Sequence, residues 1–305
     1  MDKIFTKIPF IDNVLKGIGQ IMLQENRWTG ILFLIGIFLG SWQGGVAILL
    51  STSAGTFTAM KLDYDKSEIN AGLYGFSAAL VGVALSFFFQ TTILIWILIV
   101  LGGALASIIQ HFFISKKIPA FTFPFIVIIW VCVFVLHHFT DIPPSEMISA
   151  KPENVAYSEF ITPINGFGEV IFQGGLLSGV IFFIAIFISS PAAALYGLVG
   201  SLLGAYFSYM DGESIEGIHM GLFGFNAVLS AIVFSGFKKT DGLWVLIAVL
   251  ITVAIDDFLI DHNILTEVGG VLTFPFVVGT CITLLIQKLF ITKKTKLKSS
   301  SLQHH

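Results

Sequence analysis

The 305 residues are 55% hydrophobic and only 11% charged, with a formal net charge of −3. An average soluble domain is roughly a quarter charged, so a chain this poor in charge cannot solvate itself as a globule and offers no basic surface for nucleic acid. Charge-free stretches at 28–60, 69–114, 118–140, 170–210 and 268–287 each reach the roughly 20 residues that cross a bilayer, and several allow two crossings.

The chain opens MDKIFTKIPFIDNVLKGIGQ, which mixes charges with spaced apolar residues and lacks the apolar core and cleavage site of a secretory signal. It predicts an amphipathic helix at the interface, assigned to residues 1–15. Turn residues at 41–45, 90–92 and 189–191 divide the long apolar runs. The predicted spans are 28–43, 45–60, 71–89, 92–114 and 123–140, then 176–189, 191–210, 219–237, 242–260 and 274–291. An acidic linker at 141–162 separates residues 16–140 from 163–291. Residues 292–305 form a basic tail with Lys293, Lys294, Lys296 and Lys298, ending in SSSLQHH, which resembles a tag remnant. With both termini in the cytoplasm, Lys61, Lys66, Lys116, Lys117, Lys238 and Lys239 fall inside, while the 141–159, 211–216 and 256–261 segments fall outside, as the positive-inside rule asks. Cys132 and Cys281 sit in apolar runs with no CxxC or Cys/His cluster, which predicts buried free thiols, and no cofactor or metal site is expected.

Internal repetition carries the most information. GIGQIMLQ at 17–24 returns as GFGEVIFQ at 166–173, and GLYGFSAAL at 72–80 returns as GLFGFNAVL at 221–229, both at an offset of 149 residues. FTFPF at 121–125 returns as LTFPF at 272–276, at an offset of 151. Ordered matches at near-constant spacing mark a duplicated unit. With five crossings per copy, the second copy must enter the membrane from the opposite side, so the halves are expected to be inverted repeats with a solute site near the midplane between them.

The duplicated positions supply the candidate residues. Pro124 and Pro275 lack a backbone donor and are expected to interrupt their helices at Phe123 and Phe274. Thr122 and Thr273 stand beside those breaks with hydroxyls that donate and accept. Taken singly, each proline could merely kink a helix while its threonine caps the backbone; the symmetric recurrence favours a shared site. Gln20 and Glu169 hold equivalent places at the edge of the apolar zone, where intramembrane polar groups are functional candidates. Phe76 with Leu80, and Phe225 with Leu229, are four apart and share a helical face.

These motif pairs, over nearly the whole chain from about residue 17 to 289, resemble the urea transporter family. The resemblance implies an all-α membrane protein with ten transmembrane helices, two tilted re-entrant half-helices, a pore in each subunit and a homotrimer. It implies that Thr122 and Thr273 meet at the middle of the pore, that Gln20 and Glu169 mark its two ends, and that Phe76, Leu80, Phe225 and Leu229 line a flat slot. Where the family often carries Phe three residues after the Gln, this chain has Leu23, and the repeat mate is Phe172. The implied activity is passive, channel-type transport of urea and close neutral amides across the cytoplasmic membrane, with urea and membrane lipids as partners.

Rival readings are an ammonium or small-solute channel, a proton-coupled amide transporter using Glu169, Asp256 or Asp257, and an intramembrane enzyme. The first would want paired histidines at mid-membrane, whereas His111, His137, His138, His219 and His262 fall near span ends. The acidic pair is expected to cap the outer end of a helix. An enzyme would want a nucleophile with its base or a metal motif such as HExxH, and the sequence contains neither.

Overall fold

The computed structural model describes residues 7–145 and 158–302, with side chains from 158–160 and 293–302 outside that description. The expected linker therefore lies for the most part outside the described residues, as do the first six residues, the side chains of the tail lysines and the last three positions.

The described chain is helical throughout, its one strand-like contact being an isolated bridge between Phe89 and Pro144. The first half contains α1 (Pro9–Gly19), a 3-10 turn (Gln20–Met22), α2 (Arg27–Gly40), α3 (Trp42–Lys61), short α4 (Lys66–Asn70), α5 (Phe76–Phe88), α6 (Ile93–Ser115) and α7 (Phe123–Phe139). The second contains α8 (Ser158–Glu169), α9 (Leu176–Ser189), α10 (Pro191–Met210), short α11 (Ile215–Met220), α12 (Phe225–Phe234), α13 (Asp241–Asp261), a 3-10 turn (Thr266–Val268) and α14 (Phe274–Leu302). The starts of α2 and α9, of α3 and α10, of α4 and α11, and of α5 and α12 are each 149 residues apart. Residues 71–75 and 221–224, predicted inside spans, are turns instead.

Local chemistry recurs with the elements. Ser41 accepts from Gly44 N at the start of α3, and Ser190 accepts from Ala193 N at the start of α10. Leu23 and Phe172 both take left-handed backbone, at φ 59° and 58°, and so do Phe121 and Leu272, at 46° and 49°. Side chains rarely pay for that geometry without cause. Its return at each offset means that the backbone path recurs along with the helix order.

The distribution of side chains on α6 identifies the solvent. Leu94, Ile97, Leu101, Leu105, Ile108 and Phe112 form one exposed stripe, Leu101 being 60% exposed, while Gly102, Gly103, Ala106, Ser107 and Gln110 face inward. Large apolar groups outside and small or polar groups inside is the pattern of helices packed in lipid. α6, α10, α13 and residues 274–292 of α14 are long and apolar enough to cross a bilayer, and α2, α5, α7, α9 and α12 are shorter apolar helices. The chain is a multi-pass membrane protein.

Small residues let the helices close up. α3 packs on α5 and α6, with Ser51 Oγ donating to Ala78 O at 2.6 Å and lying 3.1 Å from Ile99 O; α10 packs on α12 and α13, with Gly200 at the place of Ser51. α1 lays its buried stripe, Val14, Leu15 and Ile18, against protein, chiefly α2 and α3, and Asp12 is tied to Arg27 Nε at 2.8 Å. Cys132 and Cys281 are free but only half-buried.

The seam between the halves is α2 on α9. Thr29 Oγ1 donates to Ala185 O at 2.9 Å, and its repeat mate Ser178 Oγ donates to Gly36 O, also at 2.9 Å. Between these bonds Phe33 meets its own mate Phe182, centroids 5.1 Å apart. The start of each helix touches the end of the other, so the pair is antiparallel, and the reciprocal contacts have the form of a two-fold interface. Thr29→Val and Ser178→Ala should each cost about 0.6 kcal/mol, a typical intramembrane hydrogen bond. The check is a thermal midpoint in detergent, where each variant should melt about 2 °C lower and the double variant lower still.

Candidate functional site

The repeated motifs pack on one another before they build anything else. Gly72 and Gly221, at φ 79° and 88°, turn the chain so closely past α1 and α8 that an added Cβ would stand 2.5 Å from Gly17 N and Gly166 N respectively. Only glycine combines that backbone with that approach. The GxG and GLxG motifs are thus two sides of one contact, made once per half, and it brings α1 to the base of α5 and α8 to the base of α12.

α1 and α8 end where that contact ends. Gln24 N bonds Gly19 O at 3.1 Å, and Gln173 N bonds Gly168 O at 3.0 Å, closing each helix with Leu23 or Phe172 in the left-handed position. Gln20 Nε2 donates to Ala71 O at 2.9 Å, so the amide oxygen is the end left for another partner. Glu169 is half-buried, and Gly174 leaves it room: a Cβ there would lie 2.7 Å from Oε1.

The second construction is at the prolines, and it differs from the expected break. Phe123 and Phe274 are helical, and each proline is the second residue of its helix, where no donor is needed. The chain turns two residues earlier, at Phe121 and Leu272. Thr122 O accepts from Ile126 N at 3.2 Å, and Thr273 O from Val277 N at 3.1 Å, so each threonine carbonyl opens its helix. Thr122 makes no side-chain cap bond. Its hydroxyl lies 2.6 Å from that of Thr273, both side chains being buried.

Two helix N-termini therefore meet head to head, which places partial positive charge on both sides of the threonines. One shared hydrogen bond leaves the pair with spare lone pairs in excess of its one free hydrogen. Phe121 and Phe276 pack edge to face beside it, centroids 5.2 Å apart. Trp130 Nε1 donates to Gly270 O at 3.0 Å and its ring lies against Phe274, bracing the second turn.

Phe76, Leu80 and Leu229 belong to an apolar cluster that also contains Phe125, Leu272 and Phe276 from beside the threonines, and Phe172 and Phe225 pack against it. Leu23 stands apart at 36% exposure, whereas its mate Phe172 packs on Phe87, Phe88 and Phe125, with centroids 5.0, 5.9 and 6.3 Å away. The aromatic wall around Phe172 is thus partly supplied by the other half.

Residues 11–288 match the family described as "Urea transporter". The chain belongs to the urea transporter family. It is 30% identical to "Urea transporter 1" of Mus musculus over 250 residues, which is 75% of this chain and 64% of that protein. The protein of the same description from Rattus norvegicus is 30% identical over 246 residues, and that from Ovis aries 29% identical over 249. The chain spans 64% of the length of these relatives.

Within this urea transporter family member, several contributors were not singled out in the sequence. Phe87 and Phe88 are one triple-Phe run among 31 phenylalanines and carry no mark of their own. Asn226 carries one, standing in GLFGFNAVL where GLYGFSAAL has Ser77. Asp256 and Asp257 do not cap α13, whose C-cap is His262; Asp256 accepts from Asn226 and Asp257 from Ser208 Oγ at 3.1 Å. A carboxylate at a helix C-terminus opposes the dipole, so both turn inward to donors instead. His111 pairs with Tyr74, His137 packs on Phe89, and His138 and His262 bond carbonyls of their own helices.

Proposed function

We propose that this chain conducts urea, and close neutral amides, downhill across the cytoplasmic membrane through a narrow pore whose midpoint is the Thr122–Thr273 pair. The observation that carries the reading is the meeting of two buried hydroxyls from opposite halves inside an apolar cluster. Family membership and the similarity to proteins described as urea transporters support the substrate.

A flat neutral amide entering hydrocarbon loses several hydrogen bonds to water, at a cost of several kcal/mol. The path offers acceptors in sequence to replace them: the Gln20 amide oxygen at one end, the threonine lone pairs at the middle and the Glu169 carboxylate at the other end. Phe76 with Leu80, and Phe225 with Leu229, are read as the slot walls, joined by Phe172 on one side and the smaller Leu23 on the other. With the hydroxyls in contact, solute passes beside the threonines. A cation at that point finds two helix N-termini and no fixed negative charge to repay its hydration.

The architecture read for this pore is ten spans, α2, α3, α5, α6 and α7 with α9, α10, α12, α13 and α14, arranged as inverted repeats drawn at 16–140 and 163–291. The antiparallel, reciprocal seam of α2 and α9 supports it. α1 and α8 serve as the two re-entrant half-helices, since 11 or 12 residues extend about 17 Å against a hydrocarbon core of about 30 Å. Both termini lie in the cytoplasm, as the lysine distribution asks, and the assembly is a homotrimer with one pore per subunit.

Proteoliposomes holding the purified protein should shrink and reswell under a urea gradient faster than empty vesicles, with the rate unchanged when proton and sodium gradients are collapsed. Flux that required either gradient would replace the channel with a coupled carrier, and flux of methylammonium in preference to urea would replace the amide pathway.

A further inference from the structure

The two halves of the site are not held alike. Asn226 on α12 reaches the backbone on both sides of Thr273: its Nδ2 donates to Leu272 O at 3.1 Å and its Oδ1 accepts from Phe276 N at 3.3 Å. The second Nδ2 hydrogen goes to Asp256 Oδ2 on α13, at 3.0 Å. Both side chains are buried. The three bonds fix the orientation of the amide, because a flip would set its NH2 against the Phe276 N–H and its oxygen against two acceptors.

The first half lacks this clasp. Ser77 occupies the matching place, 149 residues earlier, and its Oγ is directed to Gln110 Oε1 at 3.4 Å. Among the described residues no side chain bonds Phe121 O or Phe125 N. Thr122 is positioned by its backbone turn, with Cys281 Sγ donating weakly to Pro119 O at 3.6 Å, while Thr273 is pinned by a side chain that is itself held by a buried carboxylate.

We propose that Asn226 is a positioning residue for solute selection, holding the Thr273 hydroxyl in register with Thr122, and that Asp256 acts through it by fixing the amide. The inference rests on the reading that the threonine pair lines the solute path. Thr273 is then the fixed side of the constriction and Thr122 the yielding side, so the width and acceptor placement seen by a solute are set from the second half.

The test is the ratio of urea to N-methylurea permeability in proteoliposomes, measured by stopped-flow shrinkage for the intact protein, Asn226→Ser and Ser77→Ala. Serine is the residue the first half tolerates at this place, so Asn226→Ser should fold. A purely structural defect removes working channels and lowers both permeabilities together, leaving the ratio alone; a displaced Thr273 hydroxyl changes the ratio. The expected result is a shift of at least about fivefold for Asn226→Ser and less than about twofold for Ser77→Ala. An unchanged ratio in Asn226→Ser overturns the inference. If Asn226→Ser cannot be reconstituted, Asp256→Ala should shift the ratio in the same sense while Asp256→Asn, which keeps an acceptor, should not, and an intact ratio in Asp256→Ala overturns it equally. An intact protein that passes urea no faster than lipid overturns the reading of the site and takes the inference with it.

Discussion

Thr273→Val should lower urea permeability about ten- to a hundredfold, with Thr122→Val falling in the same range. Valine keeps the shape of threonine and removes the hydroxyl, so the walls of the slot stay in place while an acceptor at its narrowest point is lost. Leaving a buried polar partner without its bond costs about 1–3 kcal/mol, and each 1.36 kcal/mol added to a barrier slows crossing about tenfold. Because the hydroxyls bond each other, the two losses are coupled, and the double variant should fall short of the product of the single effects. Stopped-flow shrinkage, normalised to reconstituted protein, measures all three. Permeability per channel that stayed within twofold of the intact protein in both single variants would remove the threonines from the pathway.

The other large effect is on folding. Gly72→Val and Gly221→Val should leave little protein that elutes as a single species from detergent. A side chain at a left-handed position costs about 1–2 kcal/mol. The added Cβ would also stand 2.5 Å from a backbone nitrogen of α1 or α8, an overlap that flexible side chains cannot absorb and that costs about 1–3 kcal/mol more. Against a total stability of about 5–15 kcal/mol, a large part of the margin is gone. Gly212→Ala is the control, for it shares the positive φ, at 88°, but an added Cβ there meets nothing within 4 Å. Size-exclusion profiles in which the Gly72 and Gly221 variants matched Gly212→Ala would mean that the motif contact is not needed to dock α1 and α8.

Membrane class and the recurrence of motifs were legible because each depends on spacing along the chain. A run of 20 uncharged residues has one physical solution in a bilayer, and the same words at an offset of 149 residues fold the same way wherever they occur. The positions of Thr122 and Thr273 followed from that repetition. The proline argument placed the interruption two residues late, because the first turn of a helix needs no donor from its second residue, and proline there starts a helix as readily as it ends one.

Which residues touch was decided only by the tertiary structure. The GIGQ and GLYG motifs lie some fifty residues apart and meet through glycine contacts that no periodicity records. Phe172 was marked by its place in a repeat, but Phe87, Phe88 and Phe125 become its neighbours only when the second half is set against the first. Asn226 differs from Ser77 by one polar group in the sequence; that it spans Thr273 from Leu272 to Phe276 depends on how α12 lies beside the start of α14. Hydropathy and repetition act along the chain and fix what enters the membrane and how often, whereas a hydrogen bond only a few ångströms long depends on side chains from distant segments that packing alone brings together.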